Sequence, residues 1–116
     1  MRLVDTHSHL YDSAFDEDRD MAVERAIEAG IDRIMLPAID SESHGALFGL
    51  CRRYPDICLP MIGLHPTSVN ENPNYQRELA LITEYLPNPP EGITKFYAVG
   101  EIGLDLYWSK DYIVEQ

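Results

Sequence analysis

The sequence contains few basic residues, only two cysteines and no long hydrophobic run, and each shortage excludes a class of protein. Nine Lys and Arg stand against 20 Asp and Glu, a net charge of −11, so the basic surface typical of unaided nucleic-acid binding is missing. No apolar run approaches the roughly 18 residues of a transmembrane helix, and the N-terminus becomes polar too early for a signal peptide. Cys51 and Cys58 lack CxxC spacing, which favours two reduced core thiols over a zinc pair. We therefore expect a cytoplasmic protein with no membrane contact and no evident obligate protein partner.

Short apolar runs alternate with helical patterns along the 116 residues, as is typical of an α/β domain with a parallel sheet. Strands are predicted at 3–4, 31–36, 57–63 and 96–100. Helices are predicted at about 16–29, from a Ser41 cap to about 54, and at about 74–86, and a further helix begins before Gln116. Residues 1–116 thus form one βαβαβαβ domain with helices packed on the sheet. A closed (β/α)₈ barrel needs about 200 residues or more, so this chain is too short to complete one.

Two of the predicted helices carry apolar residues at helical spacing, so each is expected to bury one face. These residues are Leu47, Leu50, Cys51 and Tyr54 in the second helix and Leu79, Ile82 and Leu86 in the third. His44, near the start of the second helix, is expected to be solvated.

Unusual polar residues follow three of the four predicted strands. His7 and His9 follow the first strand, His65 follows the third, and Glu101 follows the fourth. The carboxyl ends of parallel strands lie at one edge of a sheet, where α/β folds place their sites. We therefore expect these four side chains to share one site.

The pair His7 and His9 is the sharpest feature of the sequence. Residues two apart on a strand point the same way, so both imidazoles face one point, as a metal site requires. Two ordinary histidines near a strand end are the alternative. The position straight after a short strand, with Asp5 ahead of the pair, favours a metal site.

Glu101 is the next candidate ligand, because a carboxylate can bridge two cations in a hydrolytic site. It lies between Gly100 and Gly103, which allow a close approach of backbone and substrate. A surface Glu in a glycine-rich turn is the alternative. The apolar run that leads into Glu101 favours the site.

His65 and two aspartates complete the set of candidates. His65 could hold a phosphate or transfer a proton, or it could simply cap a turn. Asp5 and Asp105 are candidates for orienting the ligands, and a helix or turn cap is the alternative for both.

Three stretches of the sequence resemble motifs of the TatD family of metal-dependent hydrolases and deoxyribonucleases. Residues 5–10, DTHSHL, are similar to the family's DTHxHL. Residues 63–66, GLHP, are similar to its GxHP, and residues 98–105, AVGEIGLD, are similar to its AxGExGLD. Order and spacing also match, and the likeness extends over essentially the whole chain.

This resemblance implies the N-terminal part, about half, of a TIM-type (β/α)₈ barrel with helices outside. It implies that His7 and His9 hold one divalent metal ion, that Glu101 bridges two, and that His65 lies where a substrate phosphate binds. Glu101 and His65 are then the catalytic residues of this part. The implied reaction is hydrolysis of ester bonds by a metal-activated water, with DNA or another phosphoester as substrate. Mg²⁺, Mn²⁺ and Zn²⁺ all stay open as the metal.

Length is the departure from the family, since two further His and an Asp from later strands are missing. We therefore expect the 116 residues alone to be inactive. A related amidohydrolase acting on a small amide or phosphoester is one alternative. The other is a catalytically silent half-barrel that binds metal or self-associates through an exposed strand edge.

Overall fold

The computed structural model describes residues 1–116, which form one four-stranded parallel sheet with three α-helices. The strands are β1 (Leu3–Asp5), β2 (Ile31–Leu36), β3 (Cys58–Ile62) and β4 (Ala98–Val99), in the order β1-β2-β3-β4. The helices are α1 (Arg19–Glu28), α2 (Ser41–Arg53) and α3 (Tyr75–Tyr85). Each strand pairs in parallel with its sequence neighbour, which confirms the predicted α/β order. None of the helices is long and apolar enough to cross a membrane.

The core lies between the central strands and α2. Ile34, Leu36 and Ile62 are almost fully buried in the strands, and Leu47 is fully buried on α2. A capping box at Asp40 starts α2, so the predicted Ser41 cap is wrong by one residue: Ser41 is the first helical residue. Helix α2 therefore packs its predicted apolar face on the sheet.

Both cysteines are free and buried in this core, as predicted. Cys51 lies on α2 and Cys58 on β3, and both belong to the main hydrophobic cluster. Burial raises the pKa of the Cys51 thiol to about 12 and that of Cys58 to about 11. Neither thiol is therefore ionised at neutral pH, so both behave as small apolar side chains.

His44 is buried rather than solvated, so the prediction for this residue is wrong. Its ring stacks on Phe48, with 5.1 Å between the ring centroids, and lies 5.9 Å from the ring of Tyr85 on α3. Its Nε2 is buried without a hydrogen-bond partner. Helix α3 covers this part of α2, and a single sequence gives no sign of that coverage.

His44 is expected to make the stability of the protein depend on pH. Burial lowers its pKa below 6.5, against the opposing effect of Glu78 and Asp40. The folded protein binds the neutral His44 ring better than the protonated one. The contribution of His44 to the free energy of unfolding is therefore fully present above about pH 6.5 and is lost as the pH falls through the lowered pKa. His44→Leu is expected to raise the free energy of unfolding by about 1 kcal/mol at pH 7.5, because the unpartnered Nε2 is gone. The difference in the free energy of unfolding between His44→Leu and wild type should be larger at pH 5.5.

Urea unfolding at both pH values measures the His44 effect. His44→Gln is the matched control, because it removes the titration and keeps a buried polar group. An equal loss of stability between pH 7.5 and 5.5 in wild type and His44→Leu would show that His44 is not responsible.

Helix α3 packs by a face that matches the predicted one only at Ile82. Ile82 and Tyr85 are partly buried against the core, whereas Leu79 and Leu86 are 46% and 43% exposed. The large ring of Tyr85 reaches Phe48 on α2 and takes the inward position expected for Leu86. Aromatic packing thus decides which face of α3 is buried, and the spacing of apolar residues alone does not reveal that face.

The segment after β4 forms turns instead of the predicted helix start. Residues 101–116 contain no helix, and β4 itself is shorter than predicted, with two residues. Ile102, Leu104 and Trp108 are each more than 60% exposed, so the segment has no surface on which to bury an apolar face. Strands β1 and β4 each have one neighbour only. Self-association through these edges stays a prediction.

Candidate metal centre

The loop after β1 brings His7 and His9 together. The Oδ1 of Asp5 accepts a hydrogen bond of 3.0 Å from the backbone N–H of His7. The N–H of Ser8 donates to the carbonyl of Met35 at 3.0 Å, which continues the pairing with β2 beyond Asp5. The two histidines therefore keep the alternation of a strand, and their Nε2 atoms lie 3.1 Å apart.

Glu101 is held opposite the two histidines by backbone hydrogen bonds on both sides. The N–H of Gly100 donates to the carbonyl of Ile62 at 2.8 Å, and the N–H of Glu101 donates to the carbonyl of Ala38 at 2.9 Å. This places Oε2 of Glu101 3.4 Å from Nε2 of His7 and 3.3 Å from Nε2 of His9. Two motifs that are distant in sequence thus meet through backbone pairing.

Gly63 allows this close approach. A Cβ at Gly63 would lie 2.5 Å from the carbonyl carbon of Gly100 and 2.7 Å from the backbone nitrogen of Glu101. Real Cβ atoms do not come so close to backbone atoms. Only glycine therefore lets the end of β3 lie against the peptide that carries Glu101.

The spacing of the three ligand atoms fits a divalent cation. His7 Nε2, His9 Nε2 and Glu101 Oε2 are 3.1 to 3.4 Å apart. Metal–ligand bonds of about 2.0–2.1 Å in a tetrahedron give edges of about 3.3 Å, which is the same range. Two imidazoles and a carboxylate are also the donors that Zn²⁺ and similar ions accept.

The charge state of His9 suits a ligand. Burial lowers its pKa below 6.5, and the nearby His7 acts in the same direction, whereas the Glu101 carboxylate opposes it. His9 is therefore neutral at pH 7, and a histidine must be neutral to bind a metal.

His65 reaches the same carboxylate and also caps a turn, which is the alternative considered for it, whereas its role towards a phosphate stays a prediction. The backbone N–H of His65 donates to the carbonyl of Ile39 at 2.7 Å, and its ring Nδ1 accepts from the backbone N–H of Thr67 at 3.1 Å. Its Nε2 lies 3.2 Å from Oε1 of Glu101. The hydroxyl oxygen of Thr67 also lies 2.6 Å from Nδ1. With Nδ1 as the acceptor of the backbone hydrogen, the proton of a neutral ring is on Nε2. His65 therefore donates into the site.

Of the two aspartates, the structure brings only Asp5 to the site. Asp5 holds the backbone of His7, as described above. The Oδ1 of Asp105 instead accepts from the N–H of Tyr107 at 3.0 Å, which is the turn cap considered as its alternative. The role of Asp105 in orienting a ligand stays a prediction without a contact to support it.

Sequence reasoning missed Tyr11 and the segment 37–39. The hydroxyl of Tyr11 donates to the carbonyl of Pro37 at 2.6 Å and lies 2.8 Å from Nδ1 of His9. Residues 37–39 also accept the hydrogen bonds from Glu101 and His65, so they join the second and third motifs to the residue that follows the first. Tyr11 follows His9 by two residues, as His9 follows His7, and this spacing is the sequence signal that could have identified it.

Arg19 holds the loop that carries Tyr11. Its guanidinium donates to the carbonyls of Leu10, Tyr11 and Asp12 at 2.7, 3.2 and 2.7 Å. One side chain at the start of α1 thereby satisfies three loop carbonyls. The loop after β1 is shaped by these contacts rather than by regular secondary structure.

The parallel sheet brings two imidazoles and a carboxylate together at its carboxyl edge, as in the N-terminal part of an α/β barrel with a candidate metal site. The sequence model of the TatD-related DNases matches residues 4–116. The chain belongs to this family.

Relatives agree with this assignment. The uncharacterized metal-dependent hydrolase YjjV of Escherichia coli (strain K12) is 32% identical over 106 residues, which is 91% of this chain and 39% of YjjV. Human deoxyribonuclease TATDN3 is 33% identical over 89% of this chain and 38% of its own length. The 3'-5' ssDNA/RNA exonuclease TatD of Erwinia tasmaniensis (strain DSM 17950) is 29% identical over 89% of this chain and 37% of that enzyme.

The fold agrees as well. The crystal structure of E. coli YjjV superposes with a TM-score of 0.75 and 31% identity over 91% of this chain and 39% of YjjV. The four parallel strands and their helices match the N-terminal part of that TIM barrel. The chain thus spans about two fifths of the length of the relatives it matches.

Proposed function

We propose that the full-length protein is a metal-dependent hydrolase that cleaves phosphodiester bonds, with DNA as the favoured substrate. The observation that carries this proposal is the convergence of His7, His9 and Glu101, whose facing atoms lie within 3.4 Å of one another. The relatives named a deoxyribonuclease, an exonuclease and a metal-dependent hydrolase support it. The absence of a basic surface agrees with recognition through cations.

His7 and His9 would hold one divalent ion together with Oε2 of Glu101, and Glu101 would bridge to a second. The two oxygens of this carboxylate face different partners, since Oε2 faces the histidine pair and Oε1 faces His65. Divalent ions such as Mg²⁺, Mn²⁺ or Zn²⁺ would lower the pKa of a water molecule and stabilise negative charge on the phosphate.

The chain's own residues then orient the substrate. The Nε2–H of His65 faces Oε1 of Glu101 in the metal-free site. When cations engage that carboxylate, this donor would instead bind a non-bridging oxygen of the phosphate. Asp5 holds the backbone of His7 and thereby fixes the direction of its ring. We place the protein in the cytoplasm, in keeping with its two free thiols.

The proposal is tested by measuring hydrolysis after metal ions are removed from the protein and after they are added back. We expect the full-length protein to cleave a single-stranded DNA oligonucleotide and bis-p-nitrophenyl phosphate, to lose this activity in EDTA, and to regain it with Mg²⁺, Mn²⁺ or Zn²⁺. A small anilide serves as the control substrate for amide hydrolysis. Cleavage that is undiminished in EDTA, or cleavage of the anilide alone, would contradict a metal-dependent phosphodiesterase.

A further inference from the structure

We propose that Tyr11 is a positioning residue that fixes which ring nitrogen of His9 is free to bind the metal ion. The inference rests on the metal centre proposed above and extends it to a side chain outside the three motifs. Tyr11 is 4% exposed, and its hydroxyl faces Nδ1 of His9, whereas Nε2 of the same ring faces Glu101.

The direction of the Tyr11 hydroxyl follows from its other partner. Its oxygen lies 2.6 Å from the carbonyl oxygen of Pro37, and a carbonyl can only accept a hydrogen bond. The single hydroxyl hydrogen of Tyr11 therefore points at Pro37. Turning it towards His9 would leave the Pro37 carbonyl without this bond in a buried place.

The protonation of His9 follows from the direction of that hydroxyl. The Tyr11 oxygen lies 2.8 Å from Nδ1 of His9, and it has only lone pairs left to offer. With this hydroxyl direction Nδ1 carries the proton, against the pull of the Glu101 carboxylate 3.3 Å from Nε2. In a neutral imidazole Nε2 is then the nitrogen with the free lone pair. Nε2 is the atom that faces His7 and Glu101.

His65 shows the opposite arrangement a short distance away. Its Nδ1 accepts from the backbone of Thr67, so its Nε2 carries the proton and donates towards Glu101. The fold thus sets two histidines around one carboxylate in opposite forms. One presents a lone pair that suits a cation, and the other presents a hydrogen that suits an anion.

The tautomer can be read in the wild-type protein without any substitution. Nitrogen-15 NMR of the histidine rings in the metal-free, full-length protein at pH 8 distinguishes a protonated ring nitrogen from an unprotonated one. We expect His9 to carry its proton on Nδ1 and His65 on Nε2. A His9 ring protonated on Nε2, or an even mixture of both forms, would overturn the proposal.

Tyr11→Phe measures the consequence for metal binding, because it keeps the ring and removes only the hydroxyl. The Zn²⁺ affinity, measured by competition with a chromophoric chelator, is expected to fall about 10-fold to 100-fold, and His9 should lose its tautomer preference. Tyr54→Phe is the matched control, since its hydroxyl bonds Asp20 away from the site. Its Zn²⁺ affinity should stay within twofold of wild type.

The outcomes separate this proposal from the one it rests on. Wild-type protein that binds no Zn²⁺ would contradict the metal centre itself. Wild-type protein that binds Zn²⁺, together with a Tyr11→Phe variant of equal affinity, would contradict the role of Tyr11 and leave the metal centre standing.

Discussion

Glu101→Gln is expected to reduce phosphodiester hydrolysis by the full-length protein by about 10³-fold or more, with little change in its fold. The amide that replaces the carboxylate is neutral and offers one accepting oxygen, whereas Glu101 faces His7 and His9 with one oxygen and His65 with the other. In the proposed centre it could therefore neither balance the charge of two cations nor bridge them. Metal ions contribute several kcal/mol to such a reaction, and each 1.36 kcal/mol is a factor of about ten in rate. Steady-state kinetics with bis-p-nitrophenyl phosphate measures the loss.

Glu78→Gln is the matched control for this experiment. Glu78 is also a half-buried carboxylate, but it accepts hydrogen bonds from the N–H and hydroxyl of Ser41, at 2.8 and 2.7 Å, and joins α3 to α2. Its replacement should lower the stability and leave the turnover of the folded protein within about twofold of wild type. Unchanged turnover in Glu101→Gln would remove Glu101 from the catalytic site.

Gly63→Ala is expected to displace Glu101 from the histidine pair. The added methyl group would meet the backbone of Gly100 and Glu101 at 2.5 to 2.7 Å, and no side-chain rotation can relieve a contact with backbone atoms. We expect the free energy of unfolding to fall by about 1–3 kcal/mol, as for other overpacked positions. The Zn²⁺ affinity should fall at least tenfold, because the carboxylate moves away from its two partner ligands. Thermal unfolding and chelator competition measure the two effects.

Gly49→Ala provides the contrast. Gly49 lies inside α2, and a Cβ there would have no atom within 4 Å. Alanine in a helix interior should raise the free energy of unfolding by about 0.5–1 kcal/mol and leave Zn²⁺ binding unchanged. Wild-type stability and metal affinity in Gly63→Ala would show that the close approach at Gly63 does not position Glu101.

The sequence alone predicts the parts of this protein that depend on local pattern. The alternation of elements identifies the parallel sheet, and the ends of predicted strands locate His7, His9, His65 and Glu101. Their meeting follows from topology, because the carboxyl ends of parallel strands share one edge of the sheet.

Features set by packing between distant elements could not be predicted in this way. Whether His44 is solvated depends on α3 crossing α2, and the inward face of α3 depends on how the ring of Tyr85 meets Phe48. The contact of Tyr11 with Pro37 joins residues 26 positions apart. The missing helix near the C-terminus reflects a segment with no surface on which to bury an apolar face.

Anomalous diffraction from crystals of the full-length protein soaked in Zn²⁺, recorded at the zinc edge, tests the central claim most directly. It locates the ion without reference to activity. We expect a peak bonded to Nε2 of His7, Nε2 of His9 and Oε2 of Glu101, and its loss in Glu101→Gln. A zinc peak held by other residues, or no peak at this position in fully soaked crystals, would contradict it.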